Sequence, residues 1–328
     1  MGLTIFFLGL FKKVVIADGL EESILSIGYC PASWKIQQGL GVSILEAWID
    51  ALAYTLRLYF DFSGYSDMAI GLSLLFGIRI PINFASPYKS KSIIDFWRCW
   101  HMSLSNFLRD YVYISLGGNR KGEICRYVNI ALTMLIGGIW HGAGWTFIIW
   151  GALHAFYLCV NHAWRHILGY MGMNFSLSFK RIGFVLSWVF TFVCVVIGWV
   201  FFKAPDGASA FKMLQAMFSF DQLKFSLGDF QLLSEFGVDL TKLGILDTNI
   251  KLPIIATFAW LFMILLVSMV GPNTQEIVNY HEDRETLEPS SSRFNWRPNT
   301  MWAIVIAMLF VISLLCLDRK STFLYFQF

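Results

Sequence analysis

The chain predicts an all-α, polytopic integral-membrane helical bundle, and three observations carry that expectation. Of 328 residues, 56% are hydrophobic, 17% aromatic and only 14% charged, with mean hydropathy +0.59; soluble domains run nearer a quarter charged. Apolar runs of helical length recur along the whole chain, roughly seven to eight hydrophobic passages within a single unit over 1–328. The charge is also gathered: Arg79, Lys89, Lys91, Arg98, Arg109, Arg120, Lys121 and Arg126 face only Asp95, Asp110 and Glu123 between positions 79 and 126. By the positive-inside tendency this stretch lies on the cytoplasmic side. The neighbouring aromatics sit in apolar helical runs, so the expected partner is a lipid bilayer and not nucleic acid. Six cysteines are scattered without a C-x-x-C spacing, which argues against a disulfide framework or a metal site. Lys12 and Lys13 follow the apolar run Leu3–Phe11, the reverse of the order in a secretory signal.

Taken in order, Gly2–Leu20 reads as a helix end near the interface, too short and too charged to cross alone. Gly39–Phe60 is a possible span whose Glu46, Asp50 and Arg57 must face other helices. Asp61-Phe-Ser-Gly-Tyr-Ser-Asp67 reads as a polar hinge, and Met68–Ile80 as a further apolar piece stopped by Pro81. A loop with Pro87 follows. Over Ser92–Ile114 the residues Phe96, Trp97, Trp100, Leu104, Phe107, Leu108 and Tyr111 recur at helical spacing. Asp95, Arg98, His101, Asn106, Arg109 and Asp110 make that helix too polar for lipid, so it reads as re-entrant or in-plane. Leu116-Gly-Gly-Asn-Arg-Lys-Gly122 is a basic, glycine-rich loop, and Tyr127–Trp164 a helical hairpin. Ile182–Phe202, Leu252–Val270 and Thr300–Leu317 are clean spans; a mixed loop (Lys203–Lys251, amphipathic around Ala208–Phe220) and an acidic loop (Glu276–Glu288) separate them.

The chemistry concentrates in 92–164. Leu135-Ile-Gly-Gly-Ile-Trp-His141-Gly-Ala-Gly-Trp-Thr-Phe147 sets an imidazole between two apolar half-helices, on a backbone that four glycines would loosen. Thirteen helical residues from Val128 put His141 roughly 20 Å into a ~30 Å crossing. Irregular backbone at that depth is tolerated only against protein or a wet cavity. Two readings stand for His141: a packing histidine, or a general base kept neutral by burial. His101, among tryptophans, is either structural or a second imidazole that orients the substrate or its partner. His162 and His166 stand at i, i+4, a metal spacing that interfacial solvation explains better. His154 reads as a packed helix residue and His281 as solvated. Arg57, Asp61 and Asp67 form either an ion path, which would suit a transporter or flippase, or a buried ion pair with a helix cap; the second reading is preferred. Gly117-Gly-Asn-Arg120 is either a phosphate cradle or a plain turn.

Several motifs together resemble the membrane-bound O-acyltransferase (MBOAT) family, and within it the bacterial branch of alginate-type O-acetylation. They are Lys12-Lys-Val-Val-Ile-Ala-Asp18, Tyr59-Phe-Asp-Phe-Ser-Gly-Tyr-Ser-Asp67, Asp95-Phe-Trp-Arg-Cys-Trp-His-Met-Ser-Leu-Ser105, Leu108-Arg-Asp-Tyr-Val-Tyr-Ile114, Leu116-Gly-Gly-Asn-Arg120, Gly138-Ile-Trp-His-Gly142 and Tyr325-Phe-Gln-Phe328. The resemblance covers what would be the carboxyl-terminal two-thirds of a family member, and Ser115 stands where relatives carry Pro. It implies that His141 matches the catalytic histidine and His101 a second active-site position that is often Asn or Asp. It also implies a central tunnel, lined here by Trp97, Trp100, Trp140, Trp145, Asp61 and Tyr65. Acetyl-CoA is the implied acyl donor, a co-substrate and not a resident cofactor, with Arg98, Arg109, Asn119, Arg120 and Lys121 as candidates to bind it. A cell-surface polysaccharide, or an extracytoplasmic acetyltransferase partner, is the implied acceptor. D-alanyl transfer to teichoic acid is the alternative inside the family, and a multi-pass cytoplasmic (inner) membrane location follows from either.

Overall fold

The computed structural model describes residues 1–20, 31–171, 177–219, 252–280 and 296–318; every regular element among them is helical. The terminal motif Tyr325–Phe328, His281 and the stretch 220–251 lie outside the described residues.

Helix α1 (Gly2–Phe11) runs into a π-helical turn over Lys12–Ala17. A short α2 (Ala32–Gln37) precedes α3 (Ile44–Leu75). The start of α3 is a capping box: Ser43 Oγ accepts from the Glu46 N–H and the Glu46 carboxylate accepts from the Ser43 N–H. At 32 residues α3 is about 48 Å long, and the hinge expected over Asp61–Asp67 does not form. The two carboxylates are neutralised where they stand, Asp61 by Lys13 at 2.6 Å and Asp67 by Lys12 at 2.6 Å. The glycine between them is a contact point. A Cβ on Gly64 would lie 2.8 Å from the Gly9 carbonyl, and one on Gly9 would lie 2.6 Å from the Gly64 carbonyl, so these small residues let α1 lie directly on α3. Asp61 and Asp67 therefore form the ion pairs of the preferred reading, but inside a helix and with lysines from the first segment; neither caps a terminus.

The segment expected to be one amphipathic helix is three pieces: α4 (Ile93–Cys99), α5 (Met102–Phe107) and a π-helical turn over Leu108–Tyr113. The expected hairpin is present as α6 (Glu123–His141) and α7 (Trp145–Met171). Gly137 and Gly138, read as loosening the backbone, remain helical and buried. A Cβ on Gly138 would meet the Phe147 carbonyl at 2.4 Å, and one on Gly151 the Met134 carbonyl at 2.6 Å. These glycines press α6 against α7, and the chain leaves the helix only at Gly142.

Helix α8 (Leu177–Lys203) contains the one described stretch, 182–203, long and apolar enough to cross a membrane; shorter apolar helices cover 259–270 and 300–315. They belong to α10 (Leu252–Val270) and α12 (Thr300–Leu315), while α9 (Gly207–Phe218) and α11 (Thr274–Val278) are short surface and connecting pieces. Phe190 on α8 is 70% exposed, Val270 on α10 76% and Leu315 on α12 76%. Such an apolar exterior is unusual for a soluble monomer and suits acyl chains. The core that holds the site is aromatic: Tyr59 from α3, Phe84 and Tyr88 from the following loop, Phe96 and Trp100 from α4, Trp150 from α7, Trp199 and Phe202 from α8.

Candidate active site

Helix α4 starts on Ser92, whose Oγ accepts from the Asp95 N–H at 3.1 Å, and it ends because Trp100 turns extended. His101 then adopts φ 41°, ψ 57°, the left-handed region that non-glycine residues rarely occupy. The loop before α4 holds this break: Met102 N–H donates to the Asn83 carbonyl and Ala85 N–H to the Cys99 carbonyl, both at 3.0 Å. The Asn83 side-chain oxygen also accepts from Ser103 Oγ at 2.6 Å. Reversal at this one residue aims the His101 ring, which is 9% exposed, at Phe62 of α3 (centroids 4.8 Å apart) and at Trp140 of α6 (6.2 Å).

His141 closes the carboxyl end of α6. Its ring lies 5.0 Å from Trp140, 5.1 Å from Trp150, 5.0 Å from Phe202 and 6.5 Å from Phe147. The indole of Trp140, itself 53% exposed, therefore contacts both imidazoles. One pair of titratable rings is thus gathered from two elements onto a single indole, with aromatic walls around the second ring.

Along α6, on the side leading away from His141, lies a cavity of about 580 Å³. Its wall includes Trp97, Arg98, Arg109, Asn119, Arg126 and His162, and it reaches Met134. From Met134 to His141 is about 10 Å of helix. Three of the five residues expected to bind an anionic donor, Arg98, Arg109 and Asn119, come together here. Arg120 and Lys121 are exposed in the turn beyond and are not part of its wall. That turn is not a phosphate cradle, because Gly117, Gly118 and Arg120 spend their N–H groups on the carbonyls of Ile114, Tyr113 and Gly117. It is a plain turn anchored to α6 by Asn129 Nδ2, 2.8 Å from the Gly118 carbonyl. Arg109 pairs with Asp110 through two contacts at 2.7 and 3.1 Å, and this holds the Asp110 carboxyl below the usual range.

The residues expected to line a tunnel separate. Trp97 is in the cavity wall and Trp140 between the histidines. Trp100, only 5% exposed, is core, packed on Trp199 at 4.9 Å and on Phe84 at 5.1 Å. Asp61 is held by Lys13, Tyr65 is exposed, and Trp145 is 76% exposed at the start of α7. From α3, Phe62 reaches the site. His162 is not solvated alone: Arg126 of α6 bonds its Nδ1, while His166 faces Glu123 at 3.6 Å, so both tie α7 to α6. Asn83, Trp150 and Phe202 act through long-range contacts that their local sequence does not mark, and Phe62 stands inside the Tyr59–Asp67 motif but between the two polar residues, Asp61 and Tyr65, that draw attention there.

Residues 1–202 match the model of the MBOAT, membrane-bound O-acyltransferase, family, and the chain belongs to that family, whose members are membrane proteins. Over its whole length it is 38% identical across 333 residues to the peptidoglycan O-acetyltransferase of Helicobacter pylori, of which it covers 56%. It is likewise 42% identical across 329 residues to the probable alginate O-acetylase AlgI of Pseudomonas putida, of which it covers 61%. A teichoic acid D-alanyltransferase of Bacillus subtilis is 35% identical over 160 residues, 46% of this chain. The chain thus spans about three-fifths of the length of the full-length relatives it matches.

Proposed function

We propose that this protein is an O-acetyltransferase of the cytoplasmic membrane, multi-pass, moving an acetyl group from acetyl-CoA to a hydroxyl of an exported polysaccharide or of a partner that passes the group on. The observation that carries the reading is the meeting of His101 and His141 on Trp140, with a cavity walled by arginines that begins about 10 Å away along α6. Arg98, Arg109 and Arg126 suit the phosphates of an anionic donor, because guanidinium forks match phosphate oxygens. The thioester end then runs along α6 toward His141.

The imidazole of His141 takes the proton of the acceptor hydroxyl as its oxygen attacks the thioester carbonyl. The tetrahedral adduct collapses by breaking the C–S bond, and the thiolate regains the proton from the imidazolium, leaving one ester and one free thiol. His101 positions the carbonyl or stabilises the charge that grows on its oxygen.

In membranes supplied with labelled acetyl-CoA, His141→Ala should lower ester formation about a hundredfold or more with unchanged membrane insertion; undiminished transfer would refute the assignment. D-alanyl transfer is a second reading, supported by the D-alanyltransferase match over part of the chain. Labelled acetyl and D-alanyl donors tested on the same membranes separate the two.

A further inference from the structure

One fully buried histidine is not used by this mechanism. His154, on α7, is 0% exposed and ringed by aromatics: Trp150 at 4.9 Å, Trp97 at 5.3 Å, Tyr157 at 5.7 Å and Phe96 at 6.3 Å. Its Nδ1 accepts from the Trp97 indole N–H at 3.3 Å. Accepting there places the ring proton on Nε2, and Nε2 has no hydrogen-bond partner among the described residues. It points at Gly198 of α8, where an added Cβ would lie 2.7 Å away. A buried donor left unpaired costs stability, and an apolar side chain of similar volume would remove that cost. A side chain serving packing alone would not be expected to carry it.

We propose that His154 is a positioning residue that fixes the donor against His141 by holding two tryptophans. It accepts from Trp97, which forms part of the cavity wall, and packs on Trp150, which lies 5.8 Å from Trp97 and meets the His141 ring at 5.1 Å and 90°. The wall of the donor cavity and the base are thus linked through one buried imidazole, by a hydrogen bond to Trp97 and by ring packing on Trp150, and Gly198 leaves the room it occupies. The proposal rests on the reading of the cavity as the donor site and of His141 as the base.

The test is steady-state kinetics in membranes, with acetyl-CoA varied, for His154→Leu, His154→Asn and Trp97→Phe, alongside thermal unfolding of each and a His141→Ala control. His154→Leu should raise the donor KM about tenfold while unfolding at the same or a higher temperature. His154→Asn, which keeps an oxygen near the Nδ1 position, should recover most of the loss. Trp97→Phe, lacking the N–H, should match His154→Leu, and combining the two should add nothing, as expected for one shared bond. If His154→Leu and Trp97→Phe leave donor KM and kcat unchanged while His141→Ala is inactive, the positioning role is wrong and the active-site assignment stands. Should His154→Leu fail to fold, Trp97→Phe decides alone, and an unaltered donor KM in it overturns the proposal. Activity in His141→Ala would instead remove the reading of His141 on which the proposal rests.

Discussion

At the scale of the residue, the site depends on a backbone angle as much as on a ring. His101 adopts φ 41°, where asparagine and aspartate are tolerated far better than β-branched side chains. His101→Asn should keep the reversal and unfold near the parent temperature while transferring acetyl poorly. His101→Val, with its β-branch in the left-handed region, should lose about 1–3 kcal/mol, read from unfolding in detergent. The family resemblance allows Asn or Asp at this position, and the angle gives that allowance a physical basis. Glycines make a second contrast. A Cβ on Gly138 would meet the Phe147 carbonyl at 2.4 Å, whereas at Gly183, within α8, nothing among the described residues lies within 4 Å. Gly138→Ala must therefore part α6 from α7, at about 1–3 kcal/mol and with loss of transfer, since His141 sits at the end of that helix. Gly183→Ala should be neutral or stabilising by up to about 1 kcal/mol. Equal melting temperatures for the two variants would contradict the close-contact account.

At the scale of the element, helix existence was legible in the sequence and helix continuity was not. The hairpin over Tyr127–Trp164, the span from Ile182, the amphipathic piece around Ala208 and the apolar helices from Leu252 and Thr300 all stand where hydropathy places them. Polar and glycine residues do not break these helices: Asp61–Asp67 is unbroken because Lys13 and Lys12 from the distant first segment neutralise the carboxylates, and Gly137–Gly138 is unbroken with α7 packed directly on Gly138. The converse holds at His101, where an apparently regular amphipathic pattern conceals a reversal enforced by Asn83. The site followed the same division. Arg98, Arg109, His101 and His141 were visible as residue types in polar interruptions, but Phe62, Phe202 and Trp150 look like ordinary core until the helices are assembled. Element ends can be tested too. The Asp206 carboxylate caps α9 by accepting from the Ser209 N–H at 2.8 Å and from Ser209 Oγ at 3.0 Å, and the backbone bond comes first in holding its carboxyl below the usual range. The sign follows directly: the folded form favours the ionised cap, so this contribution is present above the ordinary Asp range and fades as pH falls through the depressed value. Hydrogen exchange over Gly207–Phe218 should speed up in Asp206→Ala at neutral pH, and the difference from the parent should shrink on acidification.

At the scale of the whole molecule, one carboxylate joins parts of the chain that are distant in sequence. Asp67 Oδ2 accepts from Lys12 Nζ and from Thr274 Oγ1, each at 2.6 Å, and Oδ1 accepts from Gln275 Nε2 at 2.7 Å. These contacts connect the turn after α1, the middle of α3 and the start of α11, more than two hundred residues further along. Helix α11 begins on its own capping box at Asn273 and Glu276, and Lys89 Nζ reaches the Gly271 carbonyl at 2.6 Å, so α11 also buttresses the loop that leads into α4. The same loop carries Asn83, which holds the His101 reversal. A chain of contacts therefore runs from the Asp67 junction through the loop before α4 to the His101 reversal. With the Asp67 side chain 3% exposed and Lys12 15% exposed, removing one charge strands the other in a poorly hydrated place, which typically costs about 3–5 kcal/mol. Lys12→Met should lower stability by that order, whereas Lys12→Met combined with Asp67→Asn, which removes both charges and keeps an acceptor for Thr274, should recover much of it. Unfolding temperatures in detergent and protease sensitivity of the bond after α10 give two independent readouts. A double variant no more stable than Lys12→Met would show that the charge pair is not what joins these segments, and the path from α11 to His101 would lose its anchor.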